Sequence, residues 1–292
     1  MNSAAIARMT GSAEVVADHS WPGTSTTALR LRATDGRHMI LKGNTSTDSF
    51  QREHTALSRW APALGPSAPQ LLDADEDAQL LLMTAVAGRP LQSFTLTPRQ
   101  ERHAYGQAGA LLARFHHTAP RTALPSFGPD RAAYIRSQMT DSTSPLTGTD
   151  LTVLDEALHL PETLPPQQAQ PSHLDFTSRN ILWDTEAGVI DLEASRYEAV
   201  GRDFLRITQR TLHHRPDLRT AFYQGYGREP DQAERELMRI CTVTDAAAIV
   251  ITATARGLHT FATEARHILT AAVRSWPDPA PGTALPHGRR PL

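Results

Sequence analysis

Cysteine is all but missing from this 292-residue chain: Cys241 stands alone. A single thiol forms no intrachain disulfide and builds no cysteine-based zinc site, which points to a reducing, cytoplasmic setting. A surplus of either charge is missing too. With 29 basic against 31 acidic residues and a formal net charge of −2, the chain offers no broad basic surface, and no nucleic-acid partner is expected. No uninterrupted run of about eighteen apolar residues occurs, so neither a membrane span nor a membrane partner is expected. The first residues, MNSAAIARMT, lack the charged start and long apolar core of a secretory signal. Lysine is the sharpest absence: of the 29 basic residues, only Lys42 is not arginine. An ammonium is a compact point charge and a guanidinium a planar fork, so the two serve a phosphate differently. One lysine kept among arginines points to a specific task for Lys42.

What is present is an ordinary globular composition, 40% hydrophobic, in a chain long enough for two lobes. Its most informative stretch is HLDFTSRNILWDTEAGVIDLE, residues 173–193. The stretch opens with an H-x-D-x-x-x-x-N run (His173, Asp175, Asn180) and turns at Glu186, Ala187 and Gly188. It closes on Asp191 and Glu193 in a strand-like apolar setting. In-line phosphoryl transfer requires a carboxylate near the attacking hydroxyl, with an amide oxygen and another carboxylate to hold Mg²⁺ against nucleotide phosphates. All three donor types fall between His173 and Glu193.

Upstream the pattern is β-rich. Strands are predicted over 13–20, 28–33 and 38–42, with a turn at Asp35 and Gly36. Between the first two, Gly23, Thr24, Ser25 and Thr26 form a small hydroxyl-rich loop whose backbone N–H groups suit phosphate oxygens, although it is no G-x-G-x-x-G loop. A helix is predicted over 48–60 with Asp48 as N-cap. It carries Glu53, eleven positions after Lys42, a separation at which a strand lysine meets a carboxylate of the next helix and is held toward the nucleotide. Apolar runs at 70–72 and 79–84 lead into a connector, 85–90, that suits a hinge pairing its backbone with an adenine edge. An amphipathic helix is predicted over 97–117, with Thr97 as N-cap and Pro98 in its first turn. His116 and His117 at its end look like a metal pair but read more readily as histidines bonded to nearby backbone. Downstream, helices are predicted over 131–139, 150–158, 203–213 and 216–226, with two packed helices within 231–275. The five-proline segment 277–292 reads as an unstructured tail.

The motifs HLDFTSRN (173–180) and VIDLE (189–193), supported by MILK (39–42), LLLMTAVAGRPL (80–91), LLARFHH (111–117) and GRDFL (201–205), resemble the aminoglycoside phosphotransferase family of small-molecule kinases. The likeness runs from about Gly23 to His213. It implies an α+β, bilobal, protein-kinase-like fold: a small β-rich N-terminal lobe with one main helix over residues 1–84, and a hinge with a larger, mostly helical catalytic and substrate lobe over 85–276. The flexible tail would be 277–292. The resemblance further implies that Asp175 orients the acceptor hydroxyl and takes its proton, that Asn180 and Asp191 hold magnesium with Glu193 assisting, and that Lys42 meets the phosphates while Glu53 fixes it. The Thr84 carbonyl and Val86 N–H would pair with adenine, behind which Met83 sits. His173 would brace the loop and Asp203 would be a buried structural aspartate.

Three departures bear on this reading. Leu174 stands where the family usually has glycine. Thr177 stands where protein kinases place a lysine after the catalytic aspartate, and neither D-F-G nor A-P-E is present, which argues against a protein substrate. Arg179 brings a cation to the rim, to meet either the γ-phosphate, an anionic substrate group, or solvent. The expectation is therefore a kinase using ATP or GTP with Mg²⁺, monomeric or homodimeric, that phosphorylates a hydroxyl of a small molecule, an antibiotic (an aminoglycoside or another natural product), giving resistance or self-protection. A metabolic kinase acting on choline, homoserine, a sugar or a thiosugar is the first alternative, and a non-catalytic nucleotide-binding module the second. Between Ala194 and Leu292, 14 arginines face 10 acidic residues, which disfavours a highly cationic acceptor and favours a neutral or nucleoside-like one.

Overall fold

The computed structural model describes residues 3–20, 26–44, 46–125, 127–138, 145–159 and 167–277. In chain order its elements are α1 (Ser3–Thr10), β1 (Glu14–Asp18), β2 (Thr27–Arg32), β3 (His38–Gly43), α2 (Thr47–Arg59), β4 (Leu71–Asp75), β5 (Leu80–Thr84), β6 (Arg89–Pro90), α3 (Pro98–His116) and β7 (Thr122–Leu124). Then come α4 (Phe127–Gln138), α5 (Gly148–His159), β8 (Gln167–Ser172), β9 (Ile181–Trp183), β10 (Ala187–Val189), β11 (Arg196–Ala199), α6 (Val200–Ile207), α7 (Pro216–Tyr226), α8 (Gln232–Ala255) and α9 (His259–Arg274). Two compact units result. One joins Met1–Thr122 to Gln168–Glu229, and the other joins Ala123–Gln167 to Pro230–Leu292.

The first unit opens with a five-stranded antiparallel sheet in the order β1-β2-β3-β5-β4. Side chains alternate across a strand. Leu31, Leu41, Leu80 and Leu82 accordingly pack on Ala5 and Met9 of α1, while Lys42, one position past Leu41, lies on the opposite face. There it meets Glu53 of α2. The cap of α2 is Ser46, whose hydroxyl accepts from Ser49 N–H at 3.1 Å, and not Asp48 as predicted. Asp48 sits inside the first turn, where its charge complements the helix dipole. The predicted α3 start holds, with Thr97 and Gln100 forming a capping box across Pro98.

Helix α3 packs on α7 at near-contact distance because glycines meet there. A Cβ added to Gly225 would land on the Gly106 carbonyl, and one on Gly109 would land on the Phe222 carbonyl. Around the central stretch, β9 and β10 form the expected hairpin, with Ala187 opposite Trp183. Asp191 and Glu193 are not in a strand, however. The chain leaves β10 after Val189, and Asp191 turns it with φ of 66°. The helix predicted over 203–213 begins earlier, at Val200, and gives way to a π-helical turn at Thr208–Leu212. Elements without a readable signal include α1, β7, polar β8 (QQAQPS), and β11, which pairs with β8 through Arg196 and Ser172.

In the second unit, α8 packs against α5 and α9. Val153, Leu154 and Leu158 meet Val243, Ala246, Ala247, Val250 and Leu269 in its core. Helix α8 is apolar and long enough to cross a membrane by length and composition alone, with mean hydropathy 1.5 over its most apolar window, and half of that window is buried inside the protein. Arg239, Asp245 and several threonines interrupt its apolar run, and it is the first of the two packed helices expected within 231–275. Helix α4 starts four residues before the predicted Arg131. Beyond Pro277, the predicted tail lies outside the described residues.

Candidate functional site

Lys42, itself buried, is the centre of an ion cluster. Its Nζ lies 3.0 Å from Glu53 Oε1, 2.7 Å from Asp191 Oδ1 and 3.0 Å from Glu193 Oε2. Glu53 is 1% exposed, and its second oxygen accepts from Asn44 Nδ2 at 3.3 Å. Arg52, the residue before Glu53, donates from Nε to the Glu193 carbonyl at 2.9 Å, tying α2 to the segment after β10. Burial alone would push the Lys42 ammonium down, yet three carboxylates outweigh it and hold the proton well above the ordinary lysine value. Burial pushes Glu53 up, and the Lys42 charge offsets this only in part. Burial also acts to raise Asp191, but Lys42 outweighs it and leaves this carboxyl below the usual range. One ammonium among three carboxylates leaves surplus negative charge beside the cluster.

Asp175 sits in a second cluster. Its Oδ2 accepts from Arg179 at 2.7 Å and from Asn180 Nδ2 at 2.9 Å, and its Oδ1 accepts from Arg206 at 2.6 Å. Arg179 thus points at Asp175 itself, which none of its three predicted roles anticipated. Asn180 Nδ2 donates again to the Asp175 carbonyl at 3.0 Å, so its amide oxygen is the face left to accept from a cation. Asn180, Asp191 and Glu193 supply oxygen donors only, the set that Mg²⁺ prefers. Among the described residues no three acidic, histidine or cysteine side chains converge at metal-ligand spacing. Magnesium is commonly held by one or two carboxylates with nucleotide phosphates and water, and this donor set fits that pattern.

The loop that carries Asp175 is fixed from below. Asp203 accepts from His173 N–H and Leu174 N–H, both at 2.6 Å, and from His116 Nε2 at 3.0 Å. Burial pushes the Asp203 carboxyl up, but the His116 bond and the backbone N–H groups outweigh it and leave it below the usual range. His116 also meets the Tyr226 hydroxyl at 2.8 Å, so it is a buried link between α3, α6 and α7 and not a histidine bonded to backbone. His117 does fit the bland reading, since Nδ1 bonds the Ala113 carbonyl at 2.7 Å. His173 spans the loop: Nε2 donates to the Ile190 carbonyl at 2.9 Å, and Nδ1 accepts from Asp175 N–H at 3.2 Å. Leu174 adopts φ of 64°, a left-handed conformation that glycine takes without steric cost, so the departure from glycine here is strained.

The predicted hinge follows β5. Met83 is buried opposite Ile40, Thr84 N–H donates to Gln70, and Ala85 N–H donates to His38 at 3.1 Å. Val86 comes next, with its side chain against Gly188. Gly88 has φ of 97°, and a Cβ there would come within 2.5 Å of the Trp183 carbonyl, so the connector runs tight against β9. Gly23, Thr24 and Ser25 lie outside the described residues. Asn44, Arg52 and Arg206 escaped the sequence reading. The GRDFL motif stops at Leu205, one residue short of Arg206, although a spacing of three from Asp203 puts the two on one side of α6.

The sequence model described as the phosphotransferase enzyme family matches residues 21–239. No curated protein matches in sequence. In structure, the apo form of a thermostable mutant of aminoglycoside phosphotransferase APH(4)-Ia is similar with a TM-score of 0.72 at 19% identity, covering 92% of this chain and 97% of that one. A further thermostable mutant of that enzyme, in a ternary complex with ADP and hygromycin B, gives 0.69 at 19% identity, over 93% and 97%. A choline/ethanolamine kinase family protein from Mesorhizobium loti gives 0.66 at 17% identity, over 94% and 91%. The fold shared with them is the α+β, protein-kinase-like one.

Proposed function

The chain belongs to the phosphotransferase enzyme family and is a small-molecule kinase acting on a hydroxyl group, and from that premise we propose the division of labour at its site. Lys42, held by Glu53, contacts the phosphates of ATP, with GTP the other possible donor. Met83, Thr84 and Val86 face the adenine edge, and Gly23, Thr24 and Ser25 cover the phosphates. Asp175 orients the acceptor hydroxyl and accepts its proton as the oxygen attacks the γ-phosphorus and the bond to the β-phosphate oxygen breaks. Magnesium, held through Asn180, Asp191 and Glu193, supplies neutralisation of phosphate charge when bound. The observation that carries this reading is the meeting of Lys42 with both Glu53 and Asp191, the latter 149 positions away, on a family-matched chain.

Asp175 can receive a hydroxyl only where one of its oxygens is yielded. Arg206 is 42% exposed and Arg179 24%, so Oδ1, the Arg206 side, is the oxygen that opens. Two guanidiniums beside the acceptor position repel a polycation. Together with the arginine excess after Ala194, they support a neutral or anionic natural product, an antibiotic of that kind included, over a highly cationic aminoglycoside. A metabolic acceptor is the second reading, favoured by the same observation. The single buried thiol, Cys241, supports a reducing, cytoplasmic setting.

The test is phosphate transfer from labelled Mg·ATP across matched neutral, anionic and cationic hydroxyl compounds. Asp175→Ala should lower turnover by at least ~100-fold, the scale of a lost general base, while Mg·ADP affinity changes little. Near-wild-type turnover in that variant would remove Asp175 from the role.

A further inference from the structure

A cavity of about 460 Å³ opens in the first unit, and none of the phosphotransfer residues assigned above lines it. Its walls are Arg52, Arg59 and Trp60 from α2 and its end, and Ser195, Arg196 and Tyr197 leading into β11. Among the described residues, no acidic side chain lines it. Among the described residues, Arg196 alone of the three guanidiniums has a carboxylate partner, Glu198 at 2.9 Å. Arg52 is bonded to neutral oxygens, the Glu193 carbonyl and Ser49 Oγ. Arg59 is exposed and pairs with no carboxylate among the described residues. Ser195 is 1% exposed, and its hydroxyl has no hydrogen-bond partner among the described residues, an uncommon state for a buried polar group. Trp60 and Tyr197 stand edge to face, 5.8 Å between ring centroids, and complete an aromatic side to the cavity.

This combination has a chemical preference. Guanidiniums bind carboxylate and phosphate oxygens through paired N–H groups, and the volume falls within the range of small-molecule sites. Cations at a helix end can also serve only to complement the helix dipole. That role explains Arg59 in the last turn of α2, but not Arg196, which arrives from another element, nor the buried Ser195 hydroxyl. We propose that the cavity binds a small aromatic anion, a carboxylate or phosphate monoester, and acts as an effector site on nucleotide binding.

The coupling route is on the same residues. Arg52 adjoins Glu53, which pairs with Lys42, and Arg52 Nε holds the Glu193 carbonyl. Ser195 N–H donates to the Leu192 carbonyl at 2.9 Å, between Asp191 and Glu193. An anion that reorients Arg52 or Ser195 therefore acts on both segments that supply carboxylates to Lys42. The binding half of the proposal is independent of the phosphotransfer reading, and only the coupling half rests on it.

Phenyl phosphate, inorganic phosphate and phenol are the probes, titrated calorimetrically into the full-length protein saturated with Mg·ADP so that the nucleotide position is blocked. Phenyl phosphate should bind with a Kd of about 1 mM or tighter, and inorganic phosphate and phenol each at least ~10-fold more weakly. The double variant Arg59→Ser, Arg196→Ser should keep its Tm and Mg·ADP affinity but lose phenyl phosphate affinity by ~10-fold or more. In a second titration, phenyl phosphate should shift the wild-type Mg·ADP Kd by ~5-fold or more and leave that of the double variant unmoved. Absence of binding, equal binding by the double variant, or equal binding of phenol overturns the anion site. Binding with an unmoved Mg·ADP Kd overturns the effector role.

Discussion

Asp203 shows how much a single buried carboxylate can organise. Three donors, His173 N–H, Leu174 N–H and His116 Nε2, converge on its two oxygens. Its folded pKa is lowered, so the stability it contributes is complete above the unfolded carboxylate value of about 3.9 and is lost as pH falls through the lower folded value. Asp203→Asn should lose about 3 kcal/mol near neutrality, because an amide N–H then faces buried donors. It should also lose less of its remaining stability than wild type does as pH falls below about 4, measured by urea unfolding across pH. An identical acid limb in the two proteins would mean that Asp203 does not carry that dependence. At this scale the sequence was readable where residue type alone dictates chemistry. Lys42 and Asp175 stood out as the one lysine and the centre of a spaced motif, whereas Arg206, one arginine among 28, carried no such mark.

At the scale of elements, the clear readings were those written in local physics. Thr97 with Pro98 marks a helix start because a hydroxyl satisfies an orphan N–H and proline needs none. Strands β8 and β11, which pair with each other, were unreadable because their side chains show no alternation to announce a buried face. The α3–α7 crossing is likewise invisible in sequence, since Gly106, Gly109 and Gly225 look like helix-weakening residues until their neighbours are known. Gly225→Ala forces the new methyl onto the Gly106 carbonyl, and should cost about 2 kcal/mol or more and lower Tm by about 4–8 °C. Gly148→Ala, with nothing within 4 Å of the added carbon, is the control and should leave Tm unchanged or slightly raised. Equal melting of the two variants would show that the crossing tolerates the methyl.

For the whole molecule, ligand binding and folding are linked, because the cluster around Lys42 joins residues from β3, α2 and the segment after β10. A nucleotide that binds only the folded chain stabilises it by about 2.7 kcal/mol at a hundredfold excess over Kd. Mg·ADP should therefore raise Tm by several degrees, and EDTA should remove most of the gain if the oxygen donors hold the metal with the nucleotide. A gain unaffected by EDTA would detach Asn180, Asp191 and Glu193 from that task.

Residue order alone settled the chemistry on offer and its sequence along the chain: a lone lysine, a helix glutamate, an H-x-D-x-x-x-x-N run and a trailing acidic pair. These follow from residue type and local spacing, which physics reads within a few residues. Which charges meet was decided by folding. The folded chain brought three carboxylates to one ammonium, turned Arg179 and Arg206 onto Asp175, bent through a left-handed Leu174 and Asp191, and left three arginines and a buried serine around a cavity. Electrostatic pairing depends on distance in space, and for Lys42 and Asp191 that distance is 2.7 Å across 149 positions of chain.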